Sequence, residues 1–493
     1  MTNPVNSESP DFGAADFGAP TPMDGVTGTA LLTDHYELTM LQAALHSGAA
    51  HRRAVFEVFA RHLPHGRRYG VVAGTGRLLD AIERFRFGPE ELSFLRDSGI
   101  VDKTTLRYLA SYRFGGNVWG YAEGDVYFPG SPILVVEGTF AEAVILETVV
   151  LSILNHDCAI ASAASRMVAA AGARPLIEMG SRRTHERAAV AAARAAYIAG
   201  FAASSNLHAR FHYGVPSSGT SAHAFTLVHD SERHAFMAQL SSLGTGTTLL
   251  VDTYDVARAV RTAVEVAGPS LGAVRIDSGD LPALAVSVRS LLDSLGAVDT
   301  RIILTGDLDE YSIAGLAVAP VDGYGVGTAL VTGSGAPTAA LVYKLVARSD
   351  GPLPDSAGLG PAGLESAELD SAGLGSAELG SAELGSAGEL RPVAKRSVGK
   401  PGRGGRKWAI RHRTDTGEAV TERITLAPPD PGPADRVLLR ELVRDGKIVG
   451  REPLSSARDR HRAALAELPA YALQLSRGYP AIPTVFEPHG DED

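Results

Sequence analysis

Five short apolar runs in the middle of the chain constrain its fold more than any other feature. They are 174–179 (RPLIEM), 248–253 (TLLVDT), 272–277 (GAVRID), 301–305 (RIILT) and 321–326 (VDGYGV). Each is strand-sized, and nearly all end in polar or glycine residues and run into a helical pattern. Repeated strand–helix units of this kind build a parallel sheet, because the connecting helix must cross back over it. Such sheets carry their chemistry at the C-terminal ends of the strands, whether closed into a barrel or left open.

The rest of the 493 residues fits around that unit. Residues 1–28, with two copies of Asp-Phe-Gly-Ala and several prolines, are expected to form a disordered leader. Strand-like and helical stretches then mix over 29–140 (AVFEVFAR, RRYGVVAGTGRLLDAIERF, GGNVWGYAEGDVYF), which predicts an α+β domain. The first helix is expected in LLTDHYELTMLQAALHSG, with Thr33 or Asp34 as its cap. Residues 141–348 hold the strand–helix repeats. Within 349–390 lies a pentad repeat (SAGLG, PAGLE, SAELD and on to SAGEL) whose period of five matches neither helix nor strand. Its few leucines cannot offset about 1–2 kcal/mol of backbone ordering entropy per residue, so a disordered surface insertion is expected. Residues 391–493 return to the α+β domain and end in a helical tail. The basic run Lys395–Lys407 suits either phosphate contact or a solvated hairpin.

A formal net charge of -10 leaves no general footprint for nucleic acid or an anionic membrane surface. Phosphate binding must then come from local geometry. The single cysteine, Cys158, excludes an intramolecular disulfide and reads as buried packing. No Lys or Arg precedes Arg52, so signal and transit peptides lack their basic residues, and no uncharged run has the roughly 20 apolar residues of a membrane span. A cytoplasmic protein is expected.

Three successive strand ends place unusual chemistry side by side. Arg275-Ile-Asp277-Ser278-Gly279-Asp280 sets a cation and two carboxylates at one strand-to-helix turn. Thr305-Gly306-Asp307 repeats the theme, and Gly325-Val-Gly327-Thr328 follows the next strand. Glycine lets backbone approach an anion, free amides at a helix start point toward it, and aspartates accept from ribose hydroxyls or hold Mg²⁺. Together they describe a pocket for a phosphorylated sugar, although each acidic residue alone is equally a helix cap. The segment 214–223 (GVPSSGTSAH) adds a glycine-rich loop with Thr220 and Ser221 as cap candidates and His223 opening a helix. Histidine can attack a phosphoryl group, though a lone histidine serves as readily as a structural donor.

In TDHYELTM (33–40), ETVVLSILNH (147–156), EMGSRR (178–183), FAASSNL (201–207), GVPSSGTSAHAF (214–225), VRIDSGDL (274–281), GDLDE (306–310) and GVGTALVT (325–332), the chain resembles the nicotinate phosphoribosyltransferases, part of the type II phosphoribosyltransferases. The resemblance implies an α/β fold, an irregular TIM-like barrel joined to a smaller α+β domain, and a homodimer whose pocket is completed by the partner's N-terminal segment. It implies an enzyme that joins nicotinate to phosphoribosyl pyrophosphate, couples this to ATP as co-substrate with Mg²⁺, and serves NAD salvage. His223 matches the histidine that ATP phosphorylates, and Tyr36 a tyrosine that stacks on the pyridine ring. Arg182 and Arg275 match pocket arginines and Thr220 a substrate-contacting threonine. Asp277 and Asp307, beside Gly306, match ribose or Mg²⁺ contacts, with Asp280 a further metal candidate, and Gly327-Thr328 matches the 5′-phosphate loop. Met179 departs from the family, standing where relatives often place a phenylalanine on the ring's other face. Ser205 stands where nicotinamide phosphoribosyltransferase has an aspartate that would repel a carboxylate, which favours nicotinate. Nicotinamide or quinolinate phosphoribosyltransferase, a non-catalytic phosphoribosyl or nucleotide sensor, and another sugar-phosphate TIM-barrel enzyme are the alternatives.

Overall fold

A computed structural model describes residues 28–350, 389–395 and 402–487. The leader up to residue 27 and the pentad repeat up to residue 388 lie outside the described residues. The five expected strands are present as Leu176–Glu178, Thr248–Leu250, Ala273–Ile276, Arg301–Leu304 and Gly323–Val326. A sixth, Ala203–Ser204, joins them, and every pairing in the sheet is parallel. The spatial order runs 203–204, 176–178, 323–326, 301–304, 273–276, 248–250, so the sheet is a curled half-barrel with two free edges.

The α+β part is built on a seven-stranded sheet. Arg53–Ala60 lies inside it between Leu134–Thr139, the middle strand, and Leu341–Ser349, both antiparallel to it. Leu341–Ser349 thus belongs to this sheet, although the stretch containing it reads in sequence as part of the barrel. Its outer neighbour is Leu390–Pro392, with Ser349 opposite Leu390, so both ends assigned to the insertion are strand residues. Leu439–Arg444 returns from the C-terminal segment to pair with Asn117–Tyr121.

The helix Glu147–Ala171 joins the two parts. Its N-terminal half packs into the core of the α+β sheet and its C-terminal half into that of the half-barrel. Ala159, Ala161, Ala163 and Ala164 on it are all buried, as are Ala189, Ala192, Ala195 and Ala196 of Glu186–Ile198, which packs against it. Small side chains let these backbones approach closely. Cys158 is buried in the same helix, where burial pushes its thiol pKa up. The segment from Phe140 to Ala171 is long and apolar enough to cross a membrane, but most of it is enclosed by the two cores.

Buried ion pairs fasten the C-terminal sheet to the N-terminal half. Arg411 is fully enclosed and donates to Asp125 at 3.2 Å and to Glu422 at 2.8 Å, while Arg436 donates to Asp125 at 2.6 Å. Burial pushes the Asp125 carboxyl up, but the Arg436 hydrogen bond and the Arg411 charge outweigh it and bring the pKa to about 2. The described end of the basic run is also used internally. Lys407 Nζ is buried 2.6 Å from Glu57, and Arg406 sits on the Trp408 ring while donating to Glu137.

Candidate active site

The C-terminal ends of the parallel strands surround a cavity of about 450 Å³. Its lining brings together Met179, Arg182, Ser205, Thr220, His223, Arg275, Asp277, Gly306, Asp307, Gly327 and Thr328, and also Arg183. Residues spread over 150 positions meet here because most follow one of the parallel strands, while 218–223 come from the loop after the helix Leu207–Tyr213. The walls carry Arg182, Arg183 and Arg275 against Asp277 and Asp307, so the cavity is locally cationic in a chain of net charge -10.

His223 opens a helix of five residues, His223–Leu227, whose N-cap is Ala222 and has no side-chain cap. Thr220 and Ser221 are therefore not the caps that their types suggested; both turn toward Arg275 instead. Arg275 Nη1 donates to Thr220 Oγ1 at 2.8 Å and to the Ser221 carbonyl at 3.1 Å. On the imidazole, Nδ1 lies 3.1 Å from Thr253 Oγ1, and Nε2 lies 3.9 Å from Asp252 Oδ1. Asp252 is almost completely buried. Its other oxygen accepts from the Asp277 N–H at 2.9 Å and from Ser278 Oγ at 2.8 Å. Neither Asp252 nor Thr253 was picked out in the sequence, although both end a strand that was.

Asp277 accepts from Arg275 Nη2 at 3.1 Å and from the Thr305 hydroxyl. Burial pushes its carboxyl up, but the Thr305 hydrogen bond and the Arg275 cation together hold it below the usual carboxylate range. Asp280 does something else. Its carboxylate accepts from the Ala283 N–H and caps the helix Leu281–Ser294, and it does not line the cavity. No group of three or more acidic, His or Cys side chains suited to a metal exists among the described residues.

On the opposite wall, a fully buried Glu178 accepts from the Gly180 N–H and from Ser204 Oγ, which fixes the turns carrying Arg182 and Ser205. The side chains of Arg182, Arg183 and Ser205 have no hydrogen-bond partner among the described residues. Met179 lies across Gly325, where a Cβ would sit 2.6 Å from its sulfur, so glycine makes room for the thioether. Gly306 has φ +132°, a conformation open to glycine but strained for other residues.

Tyr36 is not part of this cavity. It lies on the first helix, His35–Ser47, and is 47% exposed. Burial together with Glu147, Glu37 and Asp34 raises its pKa to about 12. Asp34 is the N-cap by position but makes no side-chain cap, and the Thr33 hydroxyl beside it donates to Glu37. Glu37 in turn accepts from the Thr148 N–H at 2.9 Å, which pins this helix to the start of the central one.

A half-barrel whose strand ends form a cation-lined, glycine-walled cavity beside an α+β unit defines an enzyme class that handles anionic sugar phosphates. Comparison with known proteins narrows this. Residues 31–155 match the family model for the nicotinate phosphoribosyltransferase (NAPRTase) N-terminal domain. Nicotinate phosphoribosyltransferase pncB1 of Mycobacterium tuberculosis (strain CDC 1551 / Oshkosh) is 55% identical over 471 residues, covering 94% of this chain and 96% of that protein. The Bacillus subtilis (strain 168) nicotinate phosphoribosyltransferase is 37% identical over 66% of this chain and 69% of its own. Among solved structures, human nicotinic acid phosphoribosyltransferase shares the fold with a TM-score of 0.74, at 23% identity over 92% of this chain and 97% of its own. The chain belongs to the nicotinate phosphoribosyltransferase family.

Proposed function

We propose that this chain forms nicotinate mononucleotide and pyrophosphate from nicotinate and phosphoribosyl pyrophosphate, in NAD salvage, and couples the reaction to ATP hydrolysis through a phosphorylated His223. The observation that carries the coupling is the placement of His223 on the wall of the cationic cavity, with Nδ1 held by Thr253 and Nε2 facing Asp252. With Nδ1–H donated to Thr253, Nε2 keeps its lone pair. It attacks the γ-phosphorus of ATP, ADP leaves, and Asp252 offsets the positive charge developing on the ring. Hydrolysis of the N–P bond then releases phosphate and restores the histidine.

The transfer itself is a displacement at the anomeric carbon. The pyridine nitrogen attacks one face of an oxocarbenium-like centre while pyrophosphate leaves from the other, and the protein supplies position and charge. Gly327 and Thr328, at the start of a helical turn, suit the 5′-phosphate, and Asp277 and Asp307 suit the ribose hydroxyls. Met179 offers one face to the ring. Mg²⁺ neutralises pyrophosphate charge when bound. The residues present fit it only as a shared ligand set of Asp277 and substrate oxygens, as is usual for this ion. In a homodimer, the exposed Tyr36 supplies the second ring face to the partner's cavity.

The test is mononucleotide formation from nicotinate, nicotinamide and quinolinate, each with and without ATP. Nicotinate is expected to be preferred and stimulated by ATP. His223→Ala is expected to lose that stimulation and the acid-labile phosphoenzyme while keeping slow ATP-independent turnover. Acid-labile phosphate mapped to His156 or His229 instead would sink the assignment.

A further inference from the structure

The helical turn Thr328–Val331, whose start lines the cavity, is closed from behind by the loop 332–336. The Gly333 N–H donates to the Leu330 carbonyl at 2.9 Å and the Ser334 N–H to the Ala329 carbonyl at 2.7 Å, so turn and loop form one unit. Ser334 has φ +52°, a backbone conformation that a residue with a side chain keeps only when its surroundings fix it. Three consecutive residues of the loop are each tied to a group outside it. Arg67 Nη2 donates to the Gly333 carbonyl at 2.6 Å, Ser334 Oγ donates to Glu310 Oε2 at 2.6 Å, and His65 Nε2 lies 3.2 Å from the Gly335 carbonyl. Glu310 is itself fixed by Arg166 of the central helix, whose Nε donates to its other oxygen at 3.1 Å. Elsewhere the unit is held by Leu330 and Val331, buried in the half-barrel core, and beyond it by Asn155, which accepts from the Ala339 N–H and the Thr338 hydroxyl.

Arg67 comes from the α+β part, between the strands Arg53–Ala60 and Gly70–Val71, and is 5% exposed. A guanidinium has five N–H donors, yet the bond to Gly333 is the one hydrogen bond of this side chain among the described residues. A buried cation so sparsely paired is a poor source of stability. Its one partner is a carbonyl just past the C-terminal end of a helical turn, where a cation is favoured. We infer that Arg67 is a positioning residue, a brace from the α+β part that fixes from behind the turn whose Gly327 and Thr328 seat the 5′-phosphate of phosphoribosyl pyrophosphate. The inference rests on the placement of that phosphate proposed above. None of Arg67, His65, Glu310 and Ser334 lines the cavity, so they act on the substrate through the turn. A displacement of about 1 Å transmitted from such a distance is enough to weaken a site.

Hydrogen exchange of amides 331–336 in the full-length, substrate-free protein tests the brace. Arg67→Met keeps an unbranched apolar stem and removes the donor, and Ser334→Ala removes the tie to Glu310. Each is expected to speed exchange of these amides at least about threefold while the strands Ala273–Ile276 and Arg301–Leu304 are unchanged. A smaller effect in Arg67→Met overturns the brace. Turnover gives the second readout. Arg67→Met is expected to raise the KM for phosphoribosyl pyrophosphate about fivefold or more and to leave the nicotinate KM within about twofold. Arg67→Lys keeps a cationic donor and is expected to recover most of both effects. A merely structural part for Arg67 would reduce the amount of active enzyme and move neither KM, and that outcome with unchanged exchange overturns the inference. Faster exchange with an unchanged KM for phosphoribosyl pyrophosphate keeps the brace and removes the phosphate from this turn. If Arg67→Met fails to fold, Ser334→Ala carries both readouts.

Discussion

Ser205 shows how much a single side chain decides. Its backbone N–H is bonded to the Glu178 carbonyl at 2.8 Å, its hydroxyl is unengaged among the described residues, and it lines the cavity beside Arg182. A carboxylate placed there would face that of nicotinate. At 4 Å and an effective dielectric of 20, two unit charges repel by about 4 kcal/mol, whereas an amide would donate to the carboxylate. Ser205→Asp is therefore expected to lower the nicotinate-to-nicotinamide ratio of kcat/KM by about tenfold or more. An unchanged ratio in a folded variant would place Ser205 away from the substrate carboxylate. The strand-end residues Arg275, Asp277, Gly306, Asp307, Gly327 and Thr328 were legible because three such ends follow in succession, whereas Arg182, Ser205 and Met179 were legible only through the family resemblance. Asp252 and Thr253 were not, since one Asp-Thr pair after a strand looks like any helix start. Only the 3.1 Å approach of Thr253 to the histidine gives the pair meaning. Asp280 shows the opposite error. The same residue type at the same kind of turn proved to be an ordinary cap.

Elements were legible where their period was long enough to see. The five strands of the half-barrel announced themselves by apolar runs, but Ala203–Ser204 has two residues and no apolar signature, so it reads only as loop. The strand Leu341–Ser349 was read only as part of the barrel stretch, because its pairing with Arg53–Ala60 spans almost 300 positions and leaves no local trace. That pairing bears on the pentad repeat. Since Ser349 is opposite Leu390, the chain leaves and returns at adjacent strands, as any hairpin does. Replacing residues 351–388 by a short turn should keep the fold and most of the activity, because loop closure changes by only about 0.6 kcal/mol per doubling of length. Severe loss of turnover in a well-folded variant would reveal a catalytic part for the repeat. The tail helix Leu454–Ala466 supports a second expectation. On it, His461 is buried with Nδ1 bonded to the Gly124 carbonyl and Nε2 to Ser165 Oγ, both at 3.0 Å. Burial lowers its pKa to about 4, beneath the unfolded value near 6.5. The unfolded chain therefore takes up the proton first, and stability falls as pH drops from about 6.5 to 4, by on the order of 3 kcal/mol in all. His461→Gln, whose amide can serve both partners, should flatten that part of the curve of Tm against pH. An unchanged curve would mean that other groups dominate acid unfolding.

At the scale of the whole molecule, the two-part architecture follows from composition and order, whereas the completeness of the site does not. The cavity walls carry every site residue expected from the sequence except Asp280 and Tyr36, and Tyr36 stands on the α+β surface, half exposed, as are Leu32 and Met40. An aromatic on a helix pinned by Glu37 to the central helix is rigid enough to serve as a binding surface. Its own cavity does not include it. In the proposed homodimer this is resolved, because a two-fold axis would carry the first helix of each protomer to the cavity of the other. The arrangement has a numerical consequence. Tyr36→Ala and His223→Ala chains, each nearly inactive alone in ATP-stimulated turnover, should complement when refolded together. Random pairing at equal amounts makes half of the dimers mixed, and each mixed dimer has one site with both residues intact and one with neither. Activity should therefore return to about one quarter of the wild-type level per site, given free exchange of protomers. If Tyr36 served its own chain, every site in the mixture would lack one residue and nothing would return. Recovery without mixed dimers, assessed by differently tagged chains, would count equally against shared sites.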